Sequence, residues 1–297
     1  MVHSTRPARL LLLLCLVLAG TGSVPAAGAE GKHFLWRVSQ GNQALYLLGS
    51  VHVLRAADYP LPAAMEQAFN DADVLVEEID LAHFDAESAA LEMLQDGSYP
   101  QGQSLRTALP APVYQKVAEG ARKLSLDMAQ LDPLRPWFAS INIEETQLLK
   151  SGFDPAAGVD QHFAAEARAQ HKSLIGLEEP AYQIGLLAKL PDAVQQEMLL
   201  QSLSEAASLD GELESLMSAW RRGDGAALED ILKQDFGSYP EVYEPVLAAR
   251  NRAWIPKLEA MLKANRRCFV VVGALHLVGP DGLLVRFQKD GYTVEQL

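Results

Sequence analysis

Two histidines in this chain each close the same short phrase. One reads Leu48-Gly49-Ser50-Val51-His52, the other Val272-Gly273-Ala274-Leu275-His276. Both phrases follow apolar, β-prone runs that read as fully buried strands. The glycine that ends each run is expected to allow a backbone turn that other residues resist. Each imidazole then falls just past the C-terminal end of a strand, where ligands and chemistry collect in open α/β sheets. A lone histidine at a strand end is usually a hydrogen-bonded structural residue. Two, delivered by a repeated phrase, suggest one shared site. Neutral imidazole is the commonest protein metal ligand, so His52 and His276 are candidate ligands.

A metal site also needs oxygen. Glu77-Glu78-Ile79-Asp80 closes a third strand-like run, and carboxylates at a buried strand end are costly unless paired or coordinated. Side chains alternate along a strand, so Glu78 shares a face with Val76 and Asp80 while Glu77 lies opposite. Asp160, in Gly158-Val159-Asp160-Gln161-His162, reads either as a favourable charge at a helix N-terminus or as a partner of the site. Glu178 ends another strand-like run and reads either as a supporting acid or as a solvated residue. Arg250 lies on a helix, and its planar fork could hold a carboxylate or a substrate oxyanion. His162 is assigned to the surface or to a supporting position; His33, His83 and His171 have no supporting pattern. The chain contains no Gly-x-Ser-x-Gly, His-Glu-x-x-His, phosphate loop or dinucleotide fingerprint, which disfavours the common hydrolase, zincin and nucleotide-binding readings.

These residues need a sheet to gather them. Segments 33–39 and 44–49, split by Gly41-Asn42, read as a β-hairpin. A helix follows from Pro60-Leu61-Pro62 to about residue 71, and 73–80 is the next strand. This β–α–β order favours a parallel neighbour for the first Gly-x-x-His strand. Residues 82–266 are mostly helical, with 3.6-residue patterning over 110–125, 136–150, 159–169, 191–209, 211–222, 225–236 and 241–264. Segment 173–177 interrupts them as a strand. Strand 268–272, a helix near 282–289 and strand 292–295 complete the pattern. The expected fold is α/β (α+β), a central, mostly parallel or mixed sheet with a large helical insertion.

The first 29 residues read as a signal peptide. Arg6 and Arg9 precede an apolar run over 10–19, and Ala27-Gly28-Ala29 offers small residues for cleavage. The product would be exported, periplasmic or secreted, with no transmembrane segment after cleavage and one domain over 30–297. Cys15 would leave with the leader, so Cys268 could form no intramolecular disulfide. The formal net charge of −13 argues against nucleic acid as a partner.

Taken together with Tyr59-Pro60-Leu61-Pro62, Pro136-Trp137, Leu177-Glu178, Arg250-Asn251 and Gly291-Tyr292, these motifs resemble the TraB/GumN family, related to the Tiki membrane-anchored metalloproteases. The resemblance spans essentially all of 30–297. Ser50 stands where the family more often has threonine, and Arg252-Ala253-Trp254 replaces a methionine-containing run. The resemblance implies that both Gly-x-x-His histidines and a strand-end glutamate form the catalytic centre. The family's Glu-x-Asp matches Glu78-Ile79-Asp80 and puts Glu78 in that role. It also implies metal-dependent proteolysis, with manganese or cobalt as the ion and zinc as a further candidate. The expected function is therefore an exported metal-dependent hydrolase acting on a peptide or protein substrate. His52, Glu78 and His276 would be its ligands and catalytic residues, and Asp160, Glu178 and Arg250 supporting or substrate-orienting groups. The alternative is a non-enzymatic cell-envelope binding protein linked to polysaccharide production. Hydrolysis of an ester or glycan-linked group is a third possibility.

Overall fold

The computed structural model describes residues 31–297 except Ala82, Ala207 and Ser238. The leader read over residues 1–29 lies outside the described residues. Strands β1 (Leu35–Gln40) and β2 (Gln43–Ser50) form the expected hairpin. Helix α1 (Ala63–Asp71) starts directly after Pro62 and leads into β3 (Val74–Ile79). Among the described residues, nine helices, α2 to α10, lie along the chain from Ala86 to Arg221, with β4 (Ser173–Glu178) among them. Those that carry the site or its neighbouring cleft are α2 (Ala86–Gly97), α7 (Val159–Ala169) and α8 (Pro180–Ala188). The helices α11 (Gly225–Phe236), α12 (Pro240–Tyr243) and α13 (Ala249–Lys263) follow, then β5 (Cys268–Gly273), α14 (Leu283–Lys289) and β6 (Thr293–Gln296).

The six strands form one mixed sheet in the order β4-β3-β5-β2-β1-β6. The four strands from β4 to β2 run parallel, and β1 is antiparallel to both β2 and β6. This is the mixed sheet with a large helical insertion expected from the sequence. All six residues of β5 are buried, as an uninterrupted apolar run in a covered parallel sheet requires. The main core joins both faces of the sheet to the surrounding helices. A second, smaller core built on Leu105, Val117, Ile143 and Leu199 lies within the helical insertion.

One expectation about connectivity is corrected. β3 is parallel to β2 but is not its neighbour, because β5 lies between them. A β–α–β unit fixes relative direction, while a strand from far along the chain can still insert between its two strands. The span 241–264 is helical as expected, but not α-helical throughout. Pro245 has no amide hydrogen to continue the ladder, and the backbone passes through a wide π turn at Glu244–Ala248 before α13 begins. Among the described residues, four helices fall outside the expected helical spans: α2, α3 (Leu105–Ala108), α5 (Met128–Leu131) and α8.

Candidate functional site

Strands β2 and β5 are parallel neighbours, so both Gly-x-x-His motifs emerge at the same sheet edge. Their register is offset by one residue: Ser50, not Gly49, pairs with Gly273. The two histidines therefore reach the edge by different routes and have different surroundings.

The glycines serve a purpose other than the one expected. Neither has a positive φ. Gly49 lies against Phe34, where any side chain would collide with the ring. Gly273 faces the site itself. A Cβ there would lie 3.2 Å from His52 Nε2, 3.3 Å from Glu78 Oε1 and 3.6 Å from His276 Cδ2. Glycine thus keeps open the place on which these three side chains converge.

His52 is held from one side. Its Nδ1 lies 2.7 Å from Asp160 Oδ2, and the Ser50 hydroxyl donates to the other Asp160 oxygen at 2.8 Å. Asp160 stands in the first turn of α7, and Gly158 lets that helix approach the His52 carbonyl where a side chain would collide. The Nε2 of His52 is buried and makes no hydrogen bond among the described residues. Burial alone would lower the pKa of this imidazole. The negative charges of Asp160 and Glu78 outweigh it and raise the pKa to about 9.

His276 is fully buried and held differently. Asn251 Nδ2 donates to the carbonyls of His276 and Asp281, at 3.0 and 2.9 Å. The Asn251 oxygen therefore faces His276 Nδ1 at 2.7 Å, which places the ring proton on Nδ1. The Nε2 lone pair then accepts from Arg250 Nη1 at 3.1 Å. Burial and the Arg250 charge lower the pKa of His276 to about 3.

Glu78, Glu178 and Arg250 form a buried ionic knot. Arg250 has no solvent exposure. It donates to Glu78 Oε2 through Nη2 and to both oxygens of Glu178 through Nε, at 3.0 and 3.2 Å. Gln183 bridges the two carboxylates with bonds of 3.2 and 3.1 Å, Trp254 Nε1 caps Glu178 at 2.8 Å, and the Gly273 amide donates to Glu78 Oε1 at 2.8 Å. Burial would raise the pKa of Glu78, but Arg250 and the two histidines reverse this and hold it at about 2. Burial lowers the pKa of Arg250, and Glu78 and Glu178 more than restore it.

All six residues selected from the sequence therefore gather at one sheet edge, in two bonded sets, His52–Asp160 and Glu78–Arg250–Glu178–His276, that converge beside Gly273. Asn251, Gln183 and Trp254 join them without having been selected. Asn251 stood in a quoted motif, whereas Gln183 gave no signal. Glu77 is a further surprise. It is 1% exposed, with both carboxylate oxygens lacking a hydrogen bond among the described residues. Burial, and after it the charge of Asp160, pushes its pKa well above the carboxylate range. His162 stands apart and pairs with Glu66 at 2.7 Å, while exposed His83 binds Asp80.

The donor types fit a divalent transition metal ion: two imidazole nitrogens and a carboxylate oxygen, with His52 Nε2 free to bind. As arranged, no group of three His, Cys, Asp or Glu among the described residues stands in ligating position. The guanidinium of Arg250 supplies the positive charge next to Glu78 and engages the Nε2 of His276. An ion using His276 would have to displace that hydrogen bond.

The opposite shifts predict divergent titrations in metal-free protein. By NMR, His52 should stay protonated up to about pH 9 and His276 should stay neutral down to about pH 3. His52 has a raised folded pKa, so its contribution to stability is complete below about 6.5 and is lost as pH rises toward 9. His276 has a depressed one, so its contribution is complete above about 6.5 and is lost as pH falls toward 3. Two imidazoles titrating together near the ordinary value would contradict this geometry.

Comparison with known proteins agrees with the motif pattern. The chain is 27% identical over 261 residues to the uncharacterized protein YbaP of Escherichia coli (strain K12), covering 86% of this chain and 94% of that protein. The Shigella flexneri protein of the same name matches to the same extent. No solved structure matches the chain at a significant level. The family model described as TraB/PrgY/gumN matches residues 34–296. With nearly the whole described chain covered and both Gly-x-x-His motifs inside the match, the chain belongs to the TraB/PrgY/gumN family.

Proposed function

We propose that this protein is an exported, metal-dependent hydrolase, and that its substrates are peptides or proteins. The observation that carries the reading is His52 Nε2, a buried nitrogen with no hydrogen bond, held by the Asp160–Ser50 pair and aimed at the place kept open by Gly273. An unpartnered polar atom in such a position costs free energy unless it has a function. Export rests on the leader-like residues before Glu30.

His52, Glu78 and His276 would hold the ion, with manganese or cobalt first in order and zinc next. Such an ion supplies Lewis acidity toward a carbonyl and lowers the pKa of water. The remaining chemistry belongs to the chain. Asp160 orients His52 through Nδ1, so that Nε2 is the atom an ion would take once its proton is displaced. Glu78, kept ionised by Arg250, presents Oε1 as the negative group beside His52. Asn251 fixes the His276 proton on Nδ1, so that Nε2 faces the site. Arg250 and Glu178 fix Glu78, and the guanidinium offers positive charge to an oxyanion developing nearby.

The test is metal analysis of purified protein, followed by peptide-library cleavage with manganese, cobalt or zinc and with a chelator. Cleavage should require the ion and should disappear in Glu78→Gln. A stoichiometrically bound ion with no cleavage of any peptide would overturn the peptidase reading in favour of a binding protein. Cleavage unaffected by chelator would overturn the metal requirement.

A further inference from the structure

The sheet ends at β4, which pairs with β3 on one flank and with no described strand on the other. Edge strands are usually blunted by lysine, proline or a bulge. β4 reads Ser-Leu-Ile-Gly-Leu-Glu and has no lysine or proline. Lys257 Nζ donates to the Leu177 carbonyl near the end of the strand, but the strand is not packed shut over Leu174, Ile175 and Gly176. A cleft of about 670 Å³ runs beside it, with Leu174, Ile175 and Gly176 on the strand side and Ser88, Ala89 and Glu92 of α2 facing them. That volume lies within the range of ligand pockets, roughly 300–1,000 Å³.

The cleft has a definite chemistry. Asp80, Asp85, Glu92 and Glu179 line it and Glu178 closes one end; His83, paired with Asp80, lines it too, Asp85 caps α2, and no lysine or arginine is among the lining residues, which leaves Glu92 and Glu179 as the carboxylates best placed to meet a ligand. Half-buried Leu174 and Ile175 supply apolar surface beside these charges. Glu178 is also the residue that binds Arg250, which in turn holds Glu78 and His276. The cleft therefore ends where the site begins.

We propose that this cleft binds an extended peptide segment bearing lysine or arginine, added to the sheet as a strand beside β4. The backbone of β4 supplies the hydrogen bonds, as in other strand-addition complexes. The carboxylates select basic side chains, and Leu174 and Ile175 accept the alternating apolar ones. The identification of this segment as substrate rests on the peptidase reading above; the binding itself does not.

The probe is a fluorescein-labelled peptide of about eight alternating Lys and Val residues, long enough to span the six residues of β4. Its binding to the full protein in chelator is read by fluorescence anisotropy. It should bind, and weaken about tenfold or more between roughly 50 and 300 mM salt. A Glu-for-Lys peptide should not bind. N-methylation of alternate amides, which leaves every charge in place, should also weaken binding about tenfold. The double variant Glu92→Lys/Glu179→Lys should lose binding while its thermal midpoint stays near that of the parent.

Equal binding of the Lys and Glu peptides, or no effect of N-methylation, overturns the proposal. So does library cleavage with no preference for basic residues and no response to the double variant, and that outcome leaves the peptidase reading intact. Selective binding without cleavage when metal is restored supports the cleft and sinks the peptidase reading alone.

Discussion

Arg250→Met should destabilise the protein by about 3–5 kcal/mol at neutral pH, the usual cost of stranding buried charges. Methionine keeps the length that packs beside Trp254, so the effect isolates the charge. The guanidinium is fully buried between Glu78 and Glu178, whose side chains are each 7% exposed. Removing it leaves two carboxylates out of water with only Gln183, Trp254 and the Gly273 amide as donors. Arg250→Lys should recover only part of the loss, because a point charge cannot span Glu78, Glu178 and His276 as the planar fork does. The pH dependence adds a second check. In the parent, Glu78 has a depressed folded pKa of about 2, so its contribution is complete above about 4.5 and is lost as pH falls toward 2. In the variant, burial without Arg250 raises that pKa, and the folded state then gains stability as pH falls. The gap between parent and variant should therefore narrow on acidification. Denaturant unfolding at neutral and acid pH measures both. A loss below about 1 kcal/mol, or a gap independent of pH, would show that the ionic knot does not hold this edge together.

The second large effect concerns Asp160. A carboxylate at 2.7 Å from His52 Nδ1 keeps a proton on that nitrogen and leaves Nε2 as the working atom. Asp160→Asn can turn its amide so that an N–H points at Nδ1. The remaining proton then belongs on Nε2, and the lone pair aimed at the site is lost. The same exchange removes the largest influence raising the His52 pKa. Where a carboxylate–histidine pair is used in hydrolysis, this substitution lowers turnover by about 10⁴ with little change in geometry. A loss of about 10³–10⁴ is expected here on any peptide cleaved by the parent. The tautomer can be read without turnover from the ring-nitrogen chemical shifts of His52 above about pH 9, where the parent imidazole is neutral. Activity within about tenfold of the parent, with unchanged nitrogen shifts, would remove Asp160 from the machinery.

Much of this site was visible in the sequence because strand ends leave a local signature. A buried apolar run followed by glycine and a polar residue announces itself, and His52, Glu78, Glu178 and His276 were found that way. The helix-borne partners were harder. Arg250 and Asn251 sit in a helix whose mixed composition reads as solvated, and burial of a polar residue depends on what packs over it. Gln183 lies on α8, a helix that was not anticipated. The strand order was hidden for a related reason. That β5 separates β2 from β3 is a pairing between distant parts of the chain, which no local periodicity encodes. The glycines were recognised, but their physical role was misassigned: close approach, not an unusual φ, requires Gly49 and Gly273.

The central position of β5 also sets the order of assembly. Residues 268–276 supply the strand between β2 and β3, the amide that binds Glu78 and one of the two imidazoles. During vectorial synthesis, β2 and β3 emerge long before the strand that joins them. Until then the two parts of the sheet have facing edges with nothing between them, and Glu78 and Arg250 have no common frame. Such long-range closure is slow and exposes unpaired strands while it waits. A ribosome-bound chain of this protein thus passes most of its synthesis without the pairing that forms the site, which waits for β5 to slot between β2 and β3.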